Sequence, residues 1–196
     1  MPRTEQQFLE IREKTKAQIL KSSLKLFSQN GFSGTSISDI AKDAKISKGL
    51  IYNYFESKND IVKTIYTNLM DEFLGLMLPI REIKDPVEKL SKILSDTIRY
   101  TRENKELMKL YMGFMIQPGP ITFDEIFSPQ FFQNFFAEFE SIFKELGSTN
   151  PKQEAYEFAA IIDGMQFHYI FMGDLYPLDE MEKHMLEKIK NIYNTK

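Results

Sequence analysis

Helix-start signals recur along the whole chain, and they limit its fold more than any other feature. Ser36 and Ser57 each precede an acid by three positions, and Asp85, Ser128 and Asn150 each precede a proline, as N-cap residues do. Apolar residues between these signals recur at helical spacing. Valine occurs only twice, and no segment has the clean apolar–polar alternation of a half-buried strand. The sequence therefore predicts an all-α protein.

The pattern predicts about nine helices. They are expected over residues 8–30, 36–43, 47–54, 57–78, 86–102, 104–117, 129–146, 151–172 and 177–194.

Charge is distributed unevenly along the sequence. The 196 residues carry a net charge of -3, yet residues 1–58 contain ten basic and six acidic side chains. This head therefore has a net charge of +4 and the remainder −7. A basic head on an acidic body suggests a polyanionic partner for the head. Chance fluctuation accounts for the head's charge about equally well, so charge alone does not decide the function.

Several function classes are disfavoured by composition. The absence of cysteine excludes disulfides, thiolate metal sites and a cysteine nucleophile. The N-terminus lacks the apolar run of a signal peptide, and prolines interrupt the longest uncharged stretch, 110–123. Two histidines and no glycine-rich phosphate loop give no support for catalysis. We expect a cytoplasmic protein that is not an enzyme and holds no metal or cofactor.

Residues 35–54 predict two short helices joined by a tight turn, with a small core between them. The core residues would be Ile37, Ile40, Ala41, Ile46 and Ile51. In a helix-turn-helix, the second helix enters the DNA major groove with its N-terminal residues nearest the bases. Lys48 could reach a guanine edge or a phosphate, and Gly49 would allow close approach. A helical hairpin with a solvated polar face fits the spacing equally well.

The candidate DNA-binding residues are hydroxyl, amide, basic and exposed apolar side chains of this segment and of the next helix start. They are Thr35, Ser36, Ser47, Lys48, Gly49, Leu50, Tyr52, Asn53, Tyr54 and Lys58.

The N-terminal third also carries a dense, ordered motif. It reads Gly31-Phe32, then Thr35-Ser36-Ile37-x-Asp39-Ile40-Ala41, then Ser47-Lys48-Gly49-x-x-Tyr52-x-Tyr54-Phe55-x-x-Lys58. Over about residues 15–65 this motif resembles the N-terminal signature of the tetracycline-repressor (TetR) family. One position departs from the family pattern, because Lys45 stands where the turn usually has glycine. Lys45 is expected to adopt a positive φ at a cost of about 1–2 kcal/mol or to alter the turn.

The resemblance implies a three-helix helix-turn-helix DNA-binding domain over 1–56 and a helical effector-binding and dimerisation domain over 57–196. It implies a homodimeric repressor that reads a palindromic operator and is released by a small molecule. The helix at 57–78 would link the two domains. The alternative from another function class is an all-helical carrier protein that no longer binds DNA.

The helix at 151–172 is apolar around most of its circumference, so both of its sides must be covered. One side can face the core of the monomer, and the other suggests a partner subunit. The resemblance implies that this helix and 177–194 form the homodimer interface.

Phenylalanine and methionine are concentrated in the C-terminal half, where they are typical of a core and also suit an adaptable apolar pocket. Only the resemblance favours a pocket. Its expected lining is Met70, Phe73, Met77, Met108, Tyr111, Met112, Phe131, Phe135 and Met165, with His168 as either a pocket hydrogen-bonding group or a core or interface residue.

Overall fold

The computed structural model describes residues 4–116 and 129–193. Within these ranges the chain is helical and has no strand, as the sequence predicts. The helices are α1 (Glu5–Asn30), α2 (Ile37–Asp43), α3 (Lys48–Tyr52), α4 (Lys58–Met77), α5 (Pro86–Glu103), α6 (Lys105–Ile116), α7 (Pro129–Glu145), α8 (Pro151–Met172) and α9 (Leu178–Tyr193). Two short 3-10 helices, Leu78–Glu82 and Gly173–Leu175, follow α4 and α8 and were not expected.

Serine caps explain why α2, α3 and α4 each begin one residue later than expected. Ser36 and Ser47 have extended backbones, and their hydroxyls accept hydrogen bonds from the N–H groups of Asp39 and Leu50. The N-cap predicted at Ser36 is thus confirmed, Ser47 caps α3 in the same way, and the expected ranges counted these caps as helical residues. Ser57 likewise accepts from the Asp60 N–H. The N-cap expected at Ser128 lies outside the described residues.

The chain packs into two compact units. The first comprises residues 4–69 and 109–116, and the second comprises 70–108 and 129–193. The functional boundary expected at residue 56 stays a prediction. The residues of α4 as far as Leu69 and the end of α6 pack in the same compact unit as the helix-turn-helix.

The first unit is built around the expected core of the two short helices. Ile40 and Ile51 have no exposed surface, and Ala41 is buried, which lets α2 and α3 pack closely. Ile37 and Ile46 are half-buried at the edge of this core. Ile19 of α1 and Ile61 of α4 are likewise fully buried, and α2 packs against both α1 and α3.

The second unit has its own apolar core. In it α7 packs along α8, and α9 packs along α5. The core is mostly aliphatic and aromatic, including Leu94, Ile98, Phe143 and Phe158. A buried polar pair crosses it, since the Gln166 amide donates a 2.7 Å hydrogen bond to the Thr101 hydroxyl. This bond satisfies polar groups that would be costly to bury alone.

Candidate functional site

The turn between α2 and α3 has the geometry of a Schellman motif. The Ile46 N–H bonds the Ala41 carbonyl at 3.0 Å, and the Lys45 N–H bonds the Lys42 carbonyl at 3.2 Å. Such a turn requires a left-handed residue, and Lys45 fills that position with φ 55°. The first of the two outcomes expected for Lys45 is therefore confirmed. A left-handed conformation costs an L-residue about 1–2 kcal/mol.

The start of α3 exposes the residues expected to meet DNA. The Ser47 hydroxyl caps the helix by accepting from the Leu50 N–H at 3.1 Å. Lys48 and Gly49 follow immediately, and both are exposed. This end therefore presents a cation, a bare backbone and free N–H groups at the positive end of the α3 dipole.

Neither packing nor backbone conformation requires glycine at position 49 in the free protein. A Cβ built on Gly49 meets no atom within 4 Å, and Gly49 lies in a helix without a positive φ. Glycine in a helix costs about 1 kcal/mol relative to alanine. The space beside Gly49 is therefore open to a close-approaching partner.

Residues further along α3 present a mixed surface. Leu50 is half-buried, Asn53 is exposed, and Tyr52 is half-exposed. Tyr54 is half-buried beneath Arg12 of α1, whose guanidinium carbon lies 5.2 Å from the ring centroid. This stacking places a cation at the C-terminal end of α3, and the sequence does not reveal it because Arg12 and Tyr54 are 42 residues apart.

The sequence predicts that the Thr35 hydroxyl binds a phosphate, but the structure does not place Thr35 at the surface. Thr35 is buried, and its hydroxyl donates to the carbonyl oxygens of Gly31 at 2.9 Å and Leu26 at 3.2 Å. The hydroxyl thus satisfies backbone groups at the C-terminal end of α1, where the last carbonyls lack helical partners. Ser36 remains exposed at the start of α2.

The ammonium group of Lys58 is also turned toward the protein rather than toward a phosphate. It donates to the carbonyl oxygens of Phe32 at 2.6 Å and Thr35 at 2.7 Å, and it lies 4.1 Å from the centroid of the Phe32 ring. Burial lowers the pKa of Lys58. Lys58 therefore fixes the segment that leads into α2, and this is a positioning role.

Both acids on α2 are engaged with partners of their own. The Ser36 hydroxyl and N–H hold the pKa of Asp39 below its usual value. Asp43 pairs with Lys25 at 2.6 Å, and this bond, with one from Ser22, lowers the pKa of Asp43. Lys42 and Lys48, by contrast, are exposed. The exposed surface around the turn is consequently rich in positive charge.

A basic helix-turn-helix surface of this kind has clear counterparts among known proteins. The family model for bacterial regulatory proteins of the tetR family matches residues 19–65, which run from α1 through α3 into α4. The HTH-type transcriptional regulator BetI of Paraburkholderia phymatum is 25% identical over 170 residues, covering 84% of this chain and 85% of that protein. Over residues 19–65 the chain therefore has the helix-turn-helix of the TetR family. The protein is a DNA-binding transcriptional regulator.

Two solved structures of regulators share the fold of this chain. The regulator FadR from Bacillus subtilis, solved with stearoyl-CoA, has a TM-score of 0.73 and 20% identity, covering 88% of this chain and 96% of that chain. AibR, solved with isovaleryl coenzyme A and operator DNA, has a TM-score of 0.70 and 18% identity with the same coverage. At these identities the likeness concerns the fold.

The second unit contains most of the residues expected to line an effector pocket. Met77 and Met165 are buried in the core, and Phe73 and Phe135 pack against it with ring centroids 5.7 Å apart. Phe131 stacks on Phe135, Met108 is buried, and Met70 is half-buried. Tyr111 and Met112 are half-buried in the part of α6 that belongs to the first unit.

A cavity of about 220 Å³ is present in the second unit, bordered by the 3-10 helix after α4, by α5 and by α7. Of the expected lining it includes Met77. Met165 instead fills the core. A ligand among the expected residues would therefore displace flexible Met and Phe side chains.

The structure places His168 on the exposed side of α8, where the sequence left two alternatives open. Its ring lies 5.4 Å from that of Tyr176 and 6.0 Å from that of Phe167. Because His168 is exposed, it lies apart from the buried residues of the expected pocket lining. His168 therefore lies on the outer side of α8 with Phe167.

The outer face of α8 is apolar and exposed. Ile161 is 36% exposed, Phe167 37% and Phe171 79%, and the rings of Phe167 and Phe171 stack. Ala160 and Gly164 share this face at helical spacing, so a second helix could approach closely. A contiguous apolar face of this kind marks an interaction surface.

No helix within residues 4–116 or 129–193 is long and apolar enough to cross a membrane.

Proposed function

We propose that the protein is a cytoplasmic, ligand-responsive transcriptional repressor that binds a palindromic operator as a homodimer and is released by a small apolar effector. One observation carries the DNA-reading part of this proposal. The capped start of α3 exposes Lys48 and an unobstructed Gly49 on a helix whose other side is fixed in a packed core.

In this proposal α3 lies in the major groove with its N-terminal end nearest the bases. Lys48 binds a guanine edge or a phosphate, and Gly49 permits contact between the helix backbone and the DNA. Asn53 and Leu50 face base edges or thymine methyl groups. The hydroxyls of Ser36, Ser47, Tyr52 and Tyr54 bind phosphate oxygens. Thr35 and Lys58 stabilise the geometry of this surface through their hydrogen bonds to backbone carbonyl oxygens.

The homodimer forms through the apolar face of α8, with α9 beside it. Exposed Phe167 and Phe171 support this assignment, because a monomer would leave them in water. A two-fold axis along this face presents two α3 helices to two half-sites. Half-sites read by paired helices are centred one DNA turn apart, about 34–36 Å.

The effector binds among the Met and Phe side chains of the second unit. FadR and AibR, which share the fold, were solved with stearoyl-CoA and isovaleryl coenzyme A. An acyl-CoA is therefore the effector class that we propose to test first. The acyl chain would take the place of the packed Met77, Phe73 and Phe135 side chains.

Release follows if the effector binds better to a conformation in which the two α3 helices no longer match the half-sites. Helix α4 links the reading and sensing functions in the sequence, since it contributes residues to both compact units. A ligand that discriminates the two conformations by about 3 kcal/mol lowers operator affinity about 150-fold.

Genomic-fragment selection followed by effector challenge tests the proposal. Wild-type protein should retain specific fragments in low salt, and one acyl chain length should release them at micromolar concentration. Free coenzyme A serves as the control, because it lacks the acyl chain and should release nothing. Retention of no fragment would contradict the repressor, whereas retention without release by any acyl-CoA would contradict the effector class alone.

A further inference from the structure

The turn between α2 and α3 contains a lysine whose backbone conformation is unfavourable and which the fold of the free protein does not require. Lys45 has φ 55°, and within the described ranges it is the one residue other than glycine that has a positive φ. Glycine would make the same two turn hydrogen bonds without a Cβ penalty. A strained residue that the fold does not require points to a role outside the fold.

Lys45 makes no ion pair with a carboxylate of the described residues. Its side chain is exposed. The nearby acid Asp43 is close enough to interact electrostatically with Lys45, but its carboxylate is hydrogen-bonded to Lys25 at 2.6 Å. No partner within the first unit therefore accounts for a lysine at this position.

The surroundings of Lys45 favour an anion. Lys42, Lys45 and Lys48 follow each other at intervals of three residues around the turn, and all three are exposed. Lys45 lies two residues before Ser47, the cap of α3, so it flanks the end of α3 that meets the groove. The DNA backbone borders the major groove on both sides, which places phosphates beside that end.

We propose that Lys45 binds a DNA phosphate next to the recognition helix, so that the α2–α3 turn is itself part of the operator contact. This inference rests on the proposed function and adds a residue to it. A lysine ammonium is a point charge on a flexible stem, and it suits a phosphate better than the patterned edge of a base. Lys45 thus adds affinity and positioning but no sequence preference.

The test compares Lys45 variants on the operator recovered from the genomic selection and on a duplex of unrelated sequence. Lys45→Ala removes the charge but keeps a left-handed L-residue, so its backbone geometry matches the wild type. Lys45→Arg keeps the charge, and Lys45→Gly removes both charge and strain. Lys84→Ala, at an exposed lysine of the second unit, is the control for total charge.

Lys45→Ala should make the slope of log affinity against log salt shallower by about 0.9 per lysine, or about 1.8 per dimer. Affinity for both duplexes should fall by a similar factor, while Lys45→Arg and Lys84→Ala keep the wild-type slope. Lys45→Gly should melt about 2–4 °C higher yet bind as weakly as Lys45→Ala. Methylphosphonate substitutions then locate the contact, since neutralising the phosphate bound by Lys45 should weaken wild type and not Lys45→Ala.

A wild-type slope and affinity in Lys45→Ala or Lys45→Gly would overturn the inference. That outcome leaves the repressor intact, because the wild-type protein still binds its operator. Failure of the wild-type protein to bind any DNA would instead contradict the proposed function. Circular dichroism of each variant excludes unfolding as the cause of weakened binding.

Discussion

The ammonium nitrogen of Lys58, in the first turn of α4, lies 2.7 Å from the carbonyl oxygen of Thr35, the residue before the cap of α2. A second bond joins it to the Phe32 carbonyl at 2.6 Å. The first turn of α4 is thereby fastened to the loop between α1 and α2. The position of α2, and through it that of α3, depends on a charge whose bonding partners are 23 and 26 residues away.

Lys58→Met should therefore destabilise the protein. The variant keeps most of the aliphatic stem but removes two charge-assisted hydrogen bonds, which we expect to lower the free energy of unfolding by about 1–3 kcal/mol. Urea unfolding followed by circular dichroism measures the change. Lys63→Met, at an exposed position of the same helix, is the matched control and should stay within about 0.5 kcal/mol of wild type.

Gly49→Ala should separate DNA binding from stability. Alanine favours the helix, so the free energy of unfolding should rise by about 0.5–1 kcal/mol, while the new methyl group obstructs the approach of DNA. Thermal melting and fluorescence anisotropy with operator DNA report the two effects. Gly75→Ala in α4, where a Cβ also meets nothing within 4 Å, should be stabilised without losing affinity. Equal affinity in both variants would show that the space beside Gly49 is not used.

Phe167→Glu should dissociate the dimer. A glutamate on the apolar face of α8 would be buried without a partner, at a cost of about 3–5 kcal/mol, and the dimer dissociation constant should rise at least about 100-fold. Sedimentation should then report the 23.0 kDa monomer at concentrations where wild type has twice that mass. Leu78→Glu changes an exposed leucine that is not on α8 and should leave the mass unaltered.

Stability should fall in alkaline solution because of two tyrosines. Burial raises the pKa of Tyr66 and of Tyr100, and the Tyr100 hydroxyl also donates to the Glu72 carboxylate. The unfolded chain releases these protons near pH 10 while the folded chain retains them, so the free energy of unfolding decreases above about pH 10. The decrease approaches about 1.4 kcal/mol per pH unit for each group.

Urea midpoints at about pH 9 and about pH 11 measure this loss. The double variant Tyr66→Phe, Tyr100→Phe should have a flatter dependence, because it has no phenol at either site to ionise on unfolding. Tyr52→Phe, at a half-exposed position, is the control. A dependence in the double variant as steep as in wild type would contradict the assignment.

Sequence reasoning succeeded where the determining interactions are local. The caps of α2 and α3 and the left-handed turn depend on residues within five positions of each other, so Ser36, Ser47 and Lys45 could be interpreted directly. The roles of Thr35 and Lys58 could not, because both side chains bond backbone carbonyls that only the folded chain brings near. The sequence shows that a residue carries a hydroxyl or an ammonium group, but it does not show whether that group faces DNA or the protein.

The second unit was less predictable for a related reason. Helical spacing shows that α8 is apolar around most of its circumference, but it does not say which side meets the core. Met165 proved to be buried, whereas Phe171, six residues later on the same helix, is 79% exposed. That division depends on how α5, α7 and α9 pack around α8, and this packing involves residues far apart in the chain.

Footprinting of the retained operator with wild type and Lys48→Ala shows whether paired α3 helices bind it. For wild type we expect two protected half-sites, related by a two-fold axis and centred about 34–36 Å apart along the duplex. Lys48→Ala should remain folded and lose protection of both half-sites together. Protection without two-fold symmetry, or full protection by Lys48→Ala, would contradict reading of the operator by paired α3 helices.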